Sequence, residues 1–330
     1  MSESRFLVTG ALGCIGAWTV KNLVETGVAV STLDQSQNDK RLRLILPQDK
    51  FQQIDFHQAD ISSLTGVRRV FEEVQPTHVI HLAALQLPFC KVNPPLGAMV
   101  NVVGTVNVFE CIKEFKTGKI VFASSTAVYG TSEEYPEGSL DHDAPLKPRS
   151  HYGVYKQANE GTARVYWLES AISSLGLRPY TVYGPGRDQG MTSTPTKAML
   201  AAALNQPYHI SYGGSCAFQY TDDMAKTFIK AALADYQGAE TYNVGGPTIS
   251  VPEVIRAIET VVPEMRGRIT YENSPLPFPE SVDNAELVKI IGNVPVTPLI
   301  TGVSETIAYF RHALKAGIMS KDEAAVILKQ

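Results

Sequence analysis

The 330-residue chain has few cysteines. Cys14, Cys90, Cys111 and Cys216 are scattered without a Cys-x-x-Cys pair, so neither a disulfide framework nor a thiolate zinc site is signalled. The seven histidines are dispersed as well, and no metal is expected. An excess of positive charge is missing: 29 Lys and Arg face 33 Asp and Glu, a formal net charge of −4, which gives the chain as a whole no pull on nucleic acid or an anionic bilayer. Hydrophobic runs read as short, with no stretch near about 18 apolar residues free of charges or polar breaks. The opening MSESRFLVTG holds no apolar leader, so cytoplasmic residence without a membrane partner is expected. Repeats, heptads and low-complexity tracts are absent too. What remains, 44% hydrophobic and 19% charged residues, is enough to bury a large core without staples.

The first half alternates short β-branched runs, at 5–9, 28–33, 77–82 and 119–123 with a shorter one near Phe56, with amphipathic segments at 15–25, 67–73 and 96–115. This order predicts an α/β fold: a Rossmann-type doubly wound parallel sheet covered on both faces. A polar, basic stretch at 35–50 reads as loop with a short helix. A long helix over 152–174 precedes a strand at 177–182. After Tyr183 a Gly-Pro-Gly turn changes the texture to helices near 196–204, 223–234, 252–262 and 303–314, broken by Pro- and Gly-rich loops. Three prolines in residues 274–280 make that span a loop. Residues 1–182 are expected to form the dinucleotide-binding domain carrying the catalytic residues. Residues 183–330 are expected to form a smaller C-terminal substrate-binding region, with some chain returning to the first domain.

After the first strand, VTGALGCIG places Gly10, Gly13 and Gly16 at the start of a helix. Glycines there let the backbone turn and approach a pyrophosphate, while free N–H groups at the helix start meet its charge; a plain tight turn is the alternative. Leu12, Cys14 and Ile15 complete the loop. Asp34 follows the second strand, where a carboxylate binds ribose hydroxyls and repels a 2′-phosphate, so NAD is favoured over NADP. Arg41 and Arg43 nearby read as solvated surface charges. Asp60 and Ile61 lie where an adenine would sit, with Asp60 as a helix cap beside Ser62 and Ser63 the competing reading. His81 reads as a core histidine, and the small residues after it, Leu82, Ala83 and Ala84, allow close approach of a ligand.

Ser124 and Ser125 end the fifth strand, and HYGVYKQ puts Tyr152 and Lys156 four residues apart on one helical face. The ammonium can lower the phenol pKa and hold a ribose hydroxyl while the phenolate removes an alcohol proton. Ser125 can hydrogen-bond the reacting oxygen. Tyr155 lies next to Lys156 in sequence but on another face.

With these motifs in order, the chain resembles the extended short-chain dehydrogenase/reductase family, specifically its NAD-dependent sugar epimerase/dehydratase proteins. The resemblance runs through TGALGCIG, Asp34, Asp60-Ile61, HLAA, NVVGTVNVFE, SSTAVYG, YGVYK, LRPYTVYGP and YTDD. It implies Tyr152 as general base and acid, Lys156 on the nicotinamide ribose, Ser125 on the reacting oxygen, and Asn101 supporting their hydrogen bonds. It also implies a homodimer packed through the Asn101 and Tyr152 helices.

The match breaks in places. Thr181 stands where nucleotide-sugar epimerases commonly carry Asn, Cys216 where they carry Arg, and 274–280 lacks their basic residue; His151 replaces a frequent Pro. The missing groups would clamp a diphosphate. Arg187 can recover one anionic contact. The substrate set expected at the strand ends is Leu85, Gln86 and Phe89, then Ser125 and Thr126, then Thr181, Arg187, Thr192 and Ser193, the last two competing as caps of the next helix. The leading expectation is an NAD-dependent oxidation of a secondary hydroxyl or lactol in a small polyhydroxylated substrate: a sugar, polyol or sugar acid. A sugar or nucleotide-sugar epimerase with a transient keto intermediate is the alternative. Dehydratase chemistry lacks its acid pair after Ser125, and a non-catalytic NAD sensor is disfavoured by the intact Ser125, Tyr152 and Lys156.

Overall fold

The computed structural model describes residues 4–329. Strands β1 (Arg5–Thr9), β2 (Ala29–Asp34), β3 (Ile54–Gln58), β4 (His78–His81), β5 (Lys119–Ala123) and β6 (Ser174–Arg178) join Ala239–Asn243 in one seven-stranded sheet. The order is Ala239–Asn243, β6, β5, β4, β1, β2, β3, and every pairing is parallel. Helices cover both faces, which is why β1 reads as an unbroken apolar run: Phe6 to Thr9 are at most 1% exposed. The chain winds outward in opposite directions from β1 and β4, and the crevice at their carboxyl ends is the place this topology leaves for a ligand.

The second half of the chain gives the sheet its edge strand Ala239–Asn243 and packs helix Thr221–Leu233 against helix Cys14–Glu25, where Asn22 donates to Asp222 at 2.8 Å. Trp18 donates from the same helix to the Pro185 carbonyl at 2.9 Å. The proline-rich loop folds back over the molecule: Gly213 donates to Ser274 and Ser132 to the Phe278 carbonyl.

Two expectations change. The strand foreseen at 177–182 is two strands in different sheets: β6 ends at Arg178, Pro179 brings no N–H to a ladder, and Thr181–Tyr183 pairs with Ser215–Tyr220 in a separate three-stranded sheet. The preceding helix stops at Ser170, capped by Ala171 in the left-handed conformation, rather than running to residue 174. Pro94–Phe115 is a continuous 22-residue helical stretch long and apolar enough by mean composition to cross a membrane, although Asn101, Asn107 and Glu110 interrupt its apolar run. Half of it is buried, with Val108, Phe109, Cys111 and Ile112 at most 1% exposed in the cluster that holds Ile120 and Phe122, which makes it a core helix.

Candidate active site

A cavity of about 540 Å3 runs along the carboxyl ends of the central strands, from the glycine loop to the Pro-rich loop. At one end the backbone itself forms the wall. A Cβ on Gly10 would stand 2.6 Å from the Ala83 nitrogen, and one on Gly16 would stand 2.2 Å from the Gly10 carbonyl, so neither position admits a side chain. Gly13 caps helix Cys14–Glu25 with no side-chain acceptor, and the free N–H groups of its first turn remain available to an anion. Asp34 is fixed by accepting from the Leu12 and Ser36 amides, both at 3.0 Å, and keeps lone pairs toward the cavity for hydroxyl donors. Asp60 borders the cavity too. It accepts from the amide and hydroxyl of Ser62, while Ser63 caps the following helix. Cys14, Ile15, Ile61, Leu82 and Ala84 complete this wall.

Arg41 is not the solvated charge its sequence setting suggests. It forms a two-pronged pair with Asp188, closest at 2.7 Å, donates to the Leu12 carbonyl at 3.2 Å and borders the cavity. Its partner lies 147 residues away, beyond any local pattern.

The middle of the cavity holds Ser125, Tyr152 and Lys156. Ser150 caps helix His151–Ser170 by accepting from the Gly153 amide at 3.1 Å. A Cβ on Gly153 would come within 2.1 Å of the Ala127 carbonyl, so the helix start presses directly on the turn after Ser125 and sets Tyr152 beside that turn. Gly153 is a positioning residue that the motif reading passed over. Ser125 accepts from the Ala127 amide at 3.1 Å. Lys156, 3% exposed, donates to the Ala123 carbonyl at 2.6 Å, with its ammonium 5.6 Å from the centroid of the Tyr152 ring. Burial pulls the Lys156 pKa down to about 8. Burial also pushes the Tyr152 phenol up, opposed first by the Ser125 hydroxyl and then by the Arg187 charge. The Ser125 hydroxyl and the Arg187 charge thus favour the phenolate, and the Lys156 ammonium lies over the same ring.

Beneath them lies a network with no sequence signature. Arg178 pairs with Glu160 at 2.7 Å, both side chains at most 9% exposed; Ser124 donates to Glu160, and Arg178 donates to Tyr129 at 2.6 Å. Glu160 is one helical turn beyond Lys156, so the Arg178 pair ties the Lys156 helix to the end of β6 and the Ser124 bond ties it to the end of β5.

Asn101 does not reach the cavity. It sits in a π-helical turn, Met99–Val103, and clasps Leu85, accepting from its amide at 2.7 Å and donating to its carbonyl at 2.9 Å. Its action is on the backbone after β4, and through it on Gln86, rather than on the reacting atoms. His81 lies between the Thr9 and Thr105 hydroxyls, and burial pushes its pKa down to about 3, as befits a core histidine.

At the far end Leu85, Gln86, Phe89, Thr126, Thr181, Arg187 and Thr192 meet. Arg187 donates to Thr192 at 3.0 Å. Ser193 is turned away, 1% exposed and donating to the Gly190 carbonyl, because helix Thr194–Ala203 starts immediately after it. His151 also misses the cavity and stacks on Tyr155. Tyr180 and Phe278, packed edge to face, close this end without having been foreseen; Phe278 arrives from the proline-rich loop. Cys216 donates to Thr181 at 3.4 Å, so the two positions that depart from the nucleotide-sugar pattern touch each other, buried and neutral. Three buried polar atoms here have no partner among the described residues: Gln86 Oε1, Tyr180 OH and Arg187 Nε.

A glycine cradle with an acidic residue after β2, opening onto a serine, tyrosine and lysine, defines a dinucleotide-dependent oxidoreductase site. The chain belongs to the NAD dependent epimerase/dehydratase family, whose model matches residues 6–245. It is 31% identical to a UDP-glucose 4-epimerase of Mycolicibacterium smegmatis, over 93% of this chain and 99% of that protein. Among solved structures it resembles the UDP-glucose 4-epimerase of Thermus thermophilus in complex with NAD, with 28% identity, a TM-score of 0.78 and coverage of 94% and 99% of the two chains. It also resembles MoeE5 in complex with UDP-glucuronic acid and NAD, at 26% identity, a TM-score of 0.77 and coverage of 94% and 100%. NAD is the cofactor, and the side-chain-free cradle at Gly10 and Gly16 and the carboxylate of Asp34 fit it.

Proposed function

We propose that the protein is a sugar epimerase that oxidises a secondary hydroxyl to a transient ketone and restores it with the opposite configuration. The observation that carries this reading is the convergence of Ser125, Tyr152 and Lys156 on a cavity continuous with the cofactor cradle. The family's epimerases move the emphasis from net dehydrogenation, the leading expectation from sequence, to this alternative.

Gly10, Gly13 and Gly16 would hold the pyrophosphate, Asp34 the adenosine ribose, and Asp60 and Ile61 the adenine edge. Bound NAD supplies a hydride acceptor that can also give the hydride back. Tyr152 takes the hydroxyl proton as phenolate, Ser125 hydrogen-bonds the same oxygen, and Lys156 would bind the nicotinamide ribose while its ammonium adds positive charge beside the phenol ring. Once the ketone has turned to present its other face, Tyr152 would give the proton back to the same oxygen, so that the cycle would close without net redox change.

The three unpaired polar atoms at the far end suit a polyhydroxylated ring, with Arg187 taking at most one anionic group. The buried Thr181–Cys216 contact supports a substrate with no diphosphate clamped there, and it keeps net dehydrogenation of a free sugar or sugar acid as the second reading.

Exposed apolar side chains on the two long helices, Met99, Val154, Val165 and Leu168 among them, support a homodimer through that face.

The test combines NAD with free sugars, sugar acids and nucleotide sugars, following absorbance at 340 nm and product configuration together. Epimer formation without net NADH, lost in Tyr152→Phe while NAD still binds, is the expected result. Stoichiometric NADH with a free sugar would replace it by the second reading, and full turnover by Tyr152→Phe would refute both.

A further inference from the structure

Behind the cofactor cavity lies a second one of about 420 Å3, between the loop after β2, the turn 184–190 and the last two helices, Leu299–Lys315 and Lys321–Lys329. Its volume is in the range of small-molecule sites. Its walls are mostly apolar, with Leu44, Leu200, Phe310, Met319 and Ile327 facing it. Lys197 is set into this wall, 4% exposed, with no hydrogen-bond acceptor or carboxylate partner for its ammonium among the described residues. The other buried cations are provided for: Lys156 has the Ala123 carbonyl and Arg178 has Glu160.

The remaining charges around the cavity do not neutralise Lys197. Lys40 is taken by Glu323 at 2.6 Å and Arg41 by Asp188 at 2.7 Å. Asp322 sits exposed at the rim, and Arg187, whose Nε is itself buried without a partner, adds a second positive charge. Lys197 Nζ is not among the buried polar atoms left without a partner, so it opens onto the cavity; an ammonium that opens between apolar walls with no ion-pair partner attracts an anion. Burial accordingly pulls the Lys197 pKa down, with Asp188 only partly opposing it.

We propose that this cavity is a second ligand site, taking a small carboxylate with an apolar body. The carboxylate meets Lys197, and the body lies against Phe310, Met319 and Ile327. The site does not depend on the epimerase reading. Arg41, Arg187 and Asp188 border both cavities, and Arg41 also holds the Leu12 carbonyl of the glycine loop. An anion on Lys197 repels Asp188 and biases the Arg41–Asp188 pair. Occupancy therefore changes NAD affinity, and NAD changes the affinity of this site by the same factor.

The experiment is calorimetric titration of the full chain with sodium octanoate, in nucleotide-free form and with saturating NAD, with 1-octanol as the uncharged control. Saturable octanoate binding is expected, with octanol weaker and the NAD dissociation constant shifted when octanoate is present. Lys197→Met, which keeps the volume and removes the charge, is expected to weaken octanoate at least about tenfold with an unchanged or raised melting temperature. Ile327→Trp, which fills the cavity, is expected to abolish binding. No saturable binding to the wild type, or equal binding to Lys197→Met, overturns the proposal. Octanoate that Lys197→Met still binds and NAD displaces belongs to the cofactor cavity and overturns it as well.

Discussion

Lys156 carries a stability cost that the pH dependence of unfolding exposes. Its pKa lies at about 8 in the folded chain against 10.5 for a free lysine, with burial the largest cause. Below about pH 8 the ammonium is charged in both states and the folded state bears the whole cost, about 3 kcal/mol. Between about 8 and 10.5 the folded lysine is neutral while the unfolded one still holds its proton, so stability rises with pH as the unfolded state binds more protons. From about pH 7 to about pH 9.5 the wild type should gain about 2 kcal/mol relative to Lys156→Met, which has nothing to titrate there. The absolute difference at neutral pH is smaller, because the variant also leaves the Ala123 carbonyl without its donor, at about 1–3 kcal/mol. The assay is urea unfolding of both nucleotide-free proteins across this range, taking the wild-type-minus-variant difference so that other titrating groups cancel. A flat difference, or one in which the wild type loses stability as pH rises, would refute the reasoning.

Gly153→Ala should lower kcat/KM about a hundredfold with NAD affinity nearly intact, since its Cβ would collide with the Ala127 carbonyl at 2.1 Å and shift Tyr152 relative to Ser125. Steady-state kinetics beside NAD titration check this, and wild-type kinetics would contradict it. Glu160→Gln should cost about 3–5 kcal/mol in urea unfolding by stranding the buried Arg178 charge, whereas a loss under about 1 kcal/mol would show that Tyr129 and its neighbours suffice for Arg178. Leu168→Asp, at a side chain 71% exposed on the Tyr152 helix, should convert a dimer to monomers in sedimentation velocity without lowering the melting temperature of the subunit. A dimer that survives it would place the interface elsewhere.

How far the sequence could be read depended on whether the causes were local. The parallel sheet was legible because β-branched runs and helical periodicity act over a few residues, and the cofactor cradle because Gly10, Gly13, Gly16 and Asp34 sit at spacings the backbone itself demands. Tyr152 and Lys156 were legible because one helix carries both. What escaped was set by residues distant in the chain. Arg41 reads as a surface charge until Asp188 arrives 147 positions later. Nothing local marks Glu160 before Arg178 comes to it from β6, or Phe278 before the proline-rich loop folds over Tyr180. Ser193 fails for a related reason: whether a hydroxyl before a helix faces a cavity depends on the residue at which the helix starts, and one position decides it. The same distinction bears on substrate. In the proposed reading the Ser125, Tyr152 and Lys156 chemistry is written on one strand end and one helix, whereas selectivity would be written where separated segments, at Gln86, Thr181–Arg187 and Phe278, meet, with Cys216 behind Thr181. Substitutions among those segments can therefore change what is bound while leaving proton transfer in place, and the neutral contact between Thr181 and Cys216 is the first place to look for that change.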